Sequence, residues 1–124
     1  MKKILLDTNF FMVPFQLGIN IFSEFDRIMQ EPYQLITLKS MKDELEKIAK
    51  TGKGNDRSAA ILGIQLARNI EVADSDKRGD GAILDYAKAQ RCMVATNDSE
   101  LRKGLRKMKI QTIFVRGRSR LEID

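Results

Sequence analysis

Apolar and polar positions repeat along this chain in two periods, and each change of period marks a new element. Ile4, Leu5 and Leu6 follow two lysines and stop at Asp7-Thr8-Asn9. A short apolar run bounded in this way reads as a buried strand. Residues 10–15 are apolar but contain Pro14, which argues against one continuous helix. They predict a loop pinned to the core or a surface for a second subunit. From 19 to 29, Ile21, Phe22, Phe25, Ile28 and Met29 fall on one helical face, and Glu31-Pro32 ends the pattern. Residues 33–38 form a second strand. Ser40 then caps a helix, with Asp43 as its capping-box partner and Met41, Leu45, Ile48 and Ala49 as the buried stripe. A loop at 51–55 separates it from a helix over 56–68. A third strand at 69–73, a polar stretch at 74–79 and a helix over 80–90 follow. Residues 92–96 are apolar throughout, as a central strand would be. Asn97-Asp98-Ser99 caps a helix through 107. A fifth strand at 111–115 leads into a basic tail.

Strands that alternate with helices build a parallel sheet covered on both faces. The expected fold is therefore an α/β class, three-layer α/β/α sandwich around a central parallel five-stranded sheet. No repeat or linker divides the 124 residues, so 1–124 reads as one domain.

Composition narrows the chemistry. The chain has no histidine and one cysteine, Cys92. That excludes Ser-His-Asp and Cys-His catalysis, an internal disulfide and most zinc sites. No apolar run approaches the ~18 residues of a membrane helix, and Asp7 interrupts any secretory leader, so a cytoplasmic protein without a membrane partner is expected. The net charge is +5. Eight basic residues and no acid lie between Arg102 and Arg120. Such a run is often only a solvated face; its other reading is a grip on a polyanion.

Four acids fall where this fold would bring them together. Asp7 ends the first strand, and Asp98 follows the fourth at a helix start. Asp80 opens a helix in line with Ile83, Leu84 and Ala87. Glu44 lies in a first turn at the border of an apolar stripe, with Asp43, Glu46 and Lys47 further round toward solvent. Singly, Asp98 and Asp80 could be N-caps and Glu44 a partner of the helix dipole. Jointly, converging carboxylates repel unless a cation joins them, and all-oxygen ligation selects Mg²⁺ or Mn²⁺.

The opening Leu5-Leu6-Asp7-Thr8-Asn9 resembles the first motif of the PIN-domain family of metal-dependent ribonucleases. Glu44 in Lys42-Asp43-Glu44-Leu45, Asp80 in Gly79-Asp80-Gly81 and Asp98 in Thr96-Asn97-Asp98-Ser99 resemble the second, third and fourth, in order. Gly81 stands where many members carry a second acid, so Asp76 is a nearby alternative to Asp80 as third ligand. The resemblance implies cleavage of single-stranded or structured RNA at a Mg²⁺ or Mn²⁺ site held by Asp7, Glu44, Asp80 and Asp98. It implies two branches, a VapC-type toxin bound by an antitoxin or a ribosomal-RNA-processing enzyme, the latter being similar in its basic tail. A homodimer is common in such proteins. Thr8, Asn9, Thr96 and Asn97 would orient the ligands or the scissile phosphate. Arg102, Lys103, Arg106, Lys107, Arg116 and Arg118 would hold the RNA backbone.

Three rivals remain beside it. A signalling receiver domain would need paired acids after the first strand, where there is only Asp7. An Asp-x-Asp phosphatase fails at Asn9. A catalytically silent RNA-binding or assembly protein with this fold has no reason to keep four converging charges.

Overall fold

A computed structural model describes all 124 residues. In chain order the elements are β1 (Lys2–Leu6), a 3₁₀ turn (Thr8–Met12), α1 (Val13–Leu17), α2 (Ile21–Ile28), β2 (Tyr33–Leu38), α3 (Lys39–Thr51) and α4 (Gly54–Ala67). They continue with β3 (Glu71–Ala73), α5 (Gly79–Gln90), β4 (Met93–Ala95), α6 (Ser99–Lys107), β5 (Thr112–Arg116) and β6 (Arg120–Ile123). The sheet runs β3-β2-β1-β4-β5-β6. All neighbours are parallel except β5 and β6.

Strand β1 is the pivot of this order. The chain builds outward from β1 through β2 to β3, then crosses back to lay β4 on β1's other side. Ligands in open α/β sheets bind at the carboxyl ends of strands flanking such a reversal. Side chains on β1 alternate as a strand requires. Ile4 and Leu6 enter a core cluster with Phe10, Phe25 and Leu45, while Leu5 enters the opposite one with Ile36, Ile83 and Leu105. All three β1 side chains are fully buried, each contributing about 1.5–3 kcal/mol relative to exposure. They anchor the strand whose end carries Asp7.

The sheet has six strands rather than the expected five, and the sixth is antiparallel. The basic tail does not trail away. It reverses at Gly117 and Arg118, both in the left-handed region at φ 59 and 63, and returns along β5. Leu121 is fully buried there, and that apolar anchor is what turns a charged tail into an edge strand. Ser40 is not a helix cap. β2 runs straight into α3 with Leu38 at the N-cap, so Ser40 lies inside the first turn and its Oγ is buried without a partner. Asp43 pairs with Lys39 one turn away instead. The third strand is shorter than 69–73.

Residues 10–15 are helical in two pieces. Pro14 sits in the first turn of α1, where a missing N–H costs nothing. Phe10, Phe11, Met12 and Val13 are buried, so this segment covers the core, and Phe15 alone is exposed at 44%. Helix α4 lies close against it. A Cβ on Gly63 would stand 2.9 Å from the Phe11 carbonyl oxygen, so only glycine permits this approach.

Candidate active site

The register of β1 on β4 pairs Leu6 with Ala95, which places Asp7 beside Thr96 at the next step. The Asp7 N–H donates to the Ala95 carbonyl at 3.0 Å. The Thr96 hydroxyl, itself fully buried, donates to Asp7 Oδ2 at 2.8 Å. The same hydroxyl oxygen accepts the Asp98 N–H at 3.1 Å. One threonine thus ties the acid that ends β1 to the acid that follows β4.

Asp98 caps α6. Its Oδ1 accepts the N–H groups of Glu100 and Leu101 at 2.9 and 3.1 Å. On the other side of β1, the Thr8 hydroxyl donates to Glu44 Oε2 at 3.1 Å, which draws α3 to the 3₁₀ turn. Asp80 stands in the first turn of α5, in line with buried Ile83 and Ala87. Asn97 Oδ1 accepts the Val115 N–H at 2.8 Å, fastening the loop after β4 to β5. Asn9 is exposed at the mouth of a cleft.

The four acids share one field. Burial pushes the Asp7 carboxyl up, the Thr96 hydroxyl and the Thr8 N–H hold it back, and the charges of Asp80 and Glu44 push it further. Asp80 is raised by desolvation first and then by Asp98 and Glu44. Asp80 thus feels Asp98 and Glu44, and Asp7 feels Asp80 in turn. As they stand, no three acidic side chains converge on a single point as a ligand cage, so field rather than contact links them. The donor set is nonetheless that of a hard divalent cation: oxygen only, four negative charges, and mutual repulsion that an ion would relieve.

Two clefts meet at Glu44. One, of about 480 Å³, is lined by Asn9, Met12, Gln16, Lys47, Ile48 and Asp56 among others. The second, of about 320 Å³, is lined by Asp43, Lys47, Arg78 and Gly79 with Glu44. Lys47 and Arg78 were not among the residues singled out from sequence. The signal for Lys47 was its place one turn after Glu44; for Arg78 it was adjacency to Gly79-Asp80.

The expected RNA-contacting run is largely occupied by the chain's own acids. Arg102 and Arg106 pair with Asp124, Arg116 and Arg120 with Glu122, and Lys103 with Glu100. Arg102 also lies 3.7 Å from the centre of the Phe114 ring. Lys107 and Arg118 are exposed and outside any ion pair.

The chain as a whole resembles known proteins. A family model described as a PIN like domain matches residues 4–118. Ribonuclease VapC4 of Methanocaldococcus jannaschii is 35% identical over 127 residues, covering 99% of this chain and 97% of the relative. Ribonuclease VapC9 of Archaeoglobus fulgidus is 27% identical over 85 residues, covering 68% of this chain and 63% of the relative. Among solved structures, the PIN domain endonuclease Utp24 superposes with a TM-score of 0.79 over 98% of this chain and 90% of its own, at 22% identity, a likeness of fold. With the acids at the ends of β1 and β4 and a family match spanning nearly every residue, the chain belongs to the PIN-like domain family.

Proposed function

We infer that this chain is a divalent-metal-dependent endoribonuclease that hydrolyses phosphodiester bonds in single-stranded RNA, and that it works as a toxin restrained by an antitoxin. The observation that carries the reading is the placement of Asp7 and Asp98 at the carboxyl ends of β1 and β4, both bonded to Thr96, with Glu44 tied to the same turn through Thr8. The toxin branch is supported by a relative that carries the VapC name along its whole length at 35% identity. The processing branch rested on the basic run, whose arginines are mostly paired internally.

Asp7, Asp80 and Asp98 would hold Mg²⁺ or Mn²⁺. Such an ion, when bound, supplies a water of lowered pKa and offsets charge developing on phosphorus. Glu44 would take one proton of the attacking water as the water oxygen bonds to phosphorus and the bond from phosphorus to the leaving oxygen breaks, the leaving oxygen taking its proton from solvent. Its Oε2 is oriented by Thr8, which leaves Oε1 for that task. Thr96 fixes the direction of the Asp7 carboxylate, and Asn97 fixes the loop that carries Asp98. The homodimer loses its main support from residues 10–15, because four of those side chains lie inside. No helix is long and apolar enough to cross a membrane.

The test is cleavage of a labelled single-stranded RNA with Mg²⁺ or Mn²⁺ and with chelator. Glu44→Gln should lower kcat by about 10²–10⁴-fold, the usual weight of general acid–base catalysis. Undiminished metal-dependent cleavage by Asp7→Asn would sink the site assignment. Growth arrest on expressing the chain alone, relieved by the product of an adjacent small gene, is the expected result for the toxin role.

A further inference from the structure

The expected grip on RNA, the basic run of α6, β5 and β6, sits against Glu100, Glu122 and Asp124, which pair with five of its cations. Two other cations also lie next to the acids. Lys47 lies one turn after Glu44 on α3, and Arg78 immediately precedes Gly79-Asp80 at the start of α5. Neither takes part in an ion pair, whereas their neighbours Lys39 and Lys77 do, with Asp43 and Asp85.

The clefts give these cations a direction. The 480 Å³ and 320 Å³ clefts share Glu44 and Lys47, so they adjoin at one of the four acids, and Gly79 next to Asp80 lines the second. Arg78 lines one end of the joined path. At the other end the lining changes character: Asn9 and Gln16 offer amides, Asp56 a carboxylate, and Met12 and Ile48 an apolar floor. A carboxylate there repels a phosphate but accepts from an exocyclic amino group, and apolar side chains suit the face of a base. The volume is within the range of small-ligand sites, about 300–1,000 Å³.

We propose that the RNA strand runs along this joined path, with Lys47 and Arg78 holding phosphates either side of the scissile one, and with Asn9, Gln16 and Asp56 reading one base beside the cut. The proposal rests on the ribonuclease reading and deepens it. The path lies on the α3–α5 side of the acids, not over α6 and β5. Asp56 selects a base that carries an amino group, so cytosine, adenine and guanine are favoured over uracil at that position.

The test separates the path from the reading it rests on. Binding of a labelled single-stranded 12-mer is measured across salt concentrations on the Asp7→Asn background, which holds RNA uncut. For single strands each lost phosphate contact lowers the slope of log K against log salt by about 0.7. Lys47→Ala with Arg78→Ala should therefore lower it by about 1.4, while Arg106→Ala with Arg118→Ala keeps it. Both pairs are exposed, and thermal melting confirms that each variant is folded. An unchanged slope in the Lys47 and Arg78 variant overturns the path, whatever the second pair does. Sequencing the cut ends of a randomised RNA pool tests the base: wild type should disfavour uracil at one position beside the cut, and Asp56→Ala should lose that bias. Bias unaltered in Asp56→Ala overturns the base placement. Wild-type protein that cuts no RNA in either metal overturns the ribonuclease reading, and this proposal with it.

Discussion

Replacing Thr96 by valine removes one hydroxyl from a fully buried position and keeps the shape of the side chain. That hydroxyl lies 2.8 Å from Asp7 Oδ2. A hydrogen bond to an ionised group is worth about 1.5–3 kcal/mol, and one between neutral groups about 0.5–1.5 kcal/mol. Asp7 is raised above its ordinary value of 3.8, chiefly by burial. At pH 3, below even that ordinary value, the folded chain therefore keeps its Asp7 proton, and Thr96 serves a neutral acid. At pH 8 it serves a carboxylate, and the loss on Thr96→Val is larger by about 1 kcal/mol or more. For a domain of this length each kcal/mol moves Tm by roughly 3–6 °C. From the Asp7 bond the expected drop is about 5–18 °C at pH 8 and about 2–9 °C at pH 3, and losing the acceptor of the Asp98 N–H adds to both, read by calorimetry with chelator present. Equal drops at the two pH values would refute the reasoning, because the hydroxyl would then not be serving an ionised Asp7.

Two further outcomes follow from the same structure. An acid whose folded pKa is raised costs stability: the cost is absent below the unfolded value near 3.8 and complete above the folded one. Asp7→Asn should therefore raise the metal-free Tm at pH 8, leave it nearly unchanged at pH 3.5, and abolish the rise that millimolar Mg²⁺ gives wild type. A lower metal-free Tm at pH 8 would show that burial does not burden Asp7. Gly63→Ala puts a Cβ 2.9 Å from the Phe11 carbonyl oxygen and 3.1 Å from the Phe11 Cβ. Overpacking of that kind should lower the urea midpoint by the equivalent of about 1–3 kcal/mol with the m-value unchanged, and a gain in stability would mean that α4 is free to retreat.

The parts legible in the sequence were those set by neighbours in the chain. The run Ile4 to Leu6 ending in Asp7 reads as a buried strand delivering an acid, and Asn97-Asp98-Ser99 announced a cap that Asp98 indeed makes through Oδ1. What failed depended on distant partners. Ser40 and Asp43 carry a good local capping signal, but Leu38 is fully buried at the end of β2 and holds the backbone so that the helix begins at Lys39. β6 shows only one buried side chain, Leu121, among charged neighbours, too short an alternation to announce a strand. The arginines looked available because their acids, Glu122 and Asp124, approach only once that hairpin closes. Lys47 looked solvent-facing because its cleft is walled by α4 and by the turn after β1, which no local pattern reveals.

The pairing of β1 with β4 has a consequence for how such a protein is made. Thr96 and Asp7 are 89 positions apart in the chain. Synthesis proceeds from the N-terminus, so the first strand emerges long before its central partner exists. Until β4 docks, Asp7 lacks its Thr96 bond and Asp98 has no place beside it. The growing chain carries the leading acid motif but no cutting centre, and contacts of such long sequence separation form late. The fold thus withholds a complete acid cluster until the fourth strand has emerged and docked on the first.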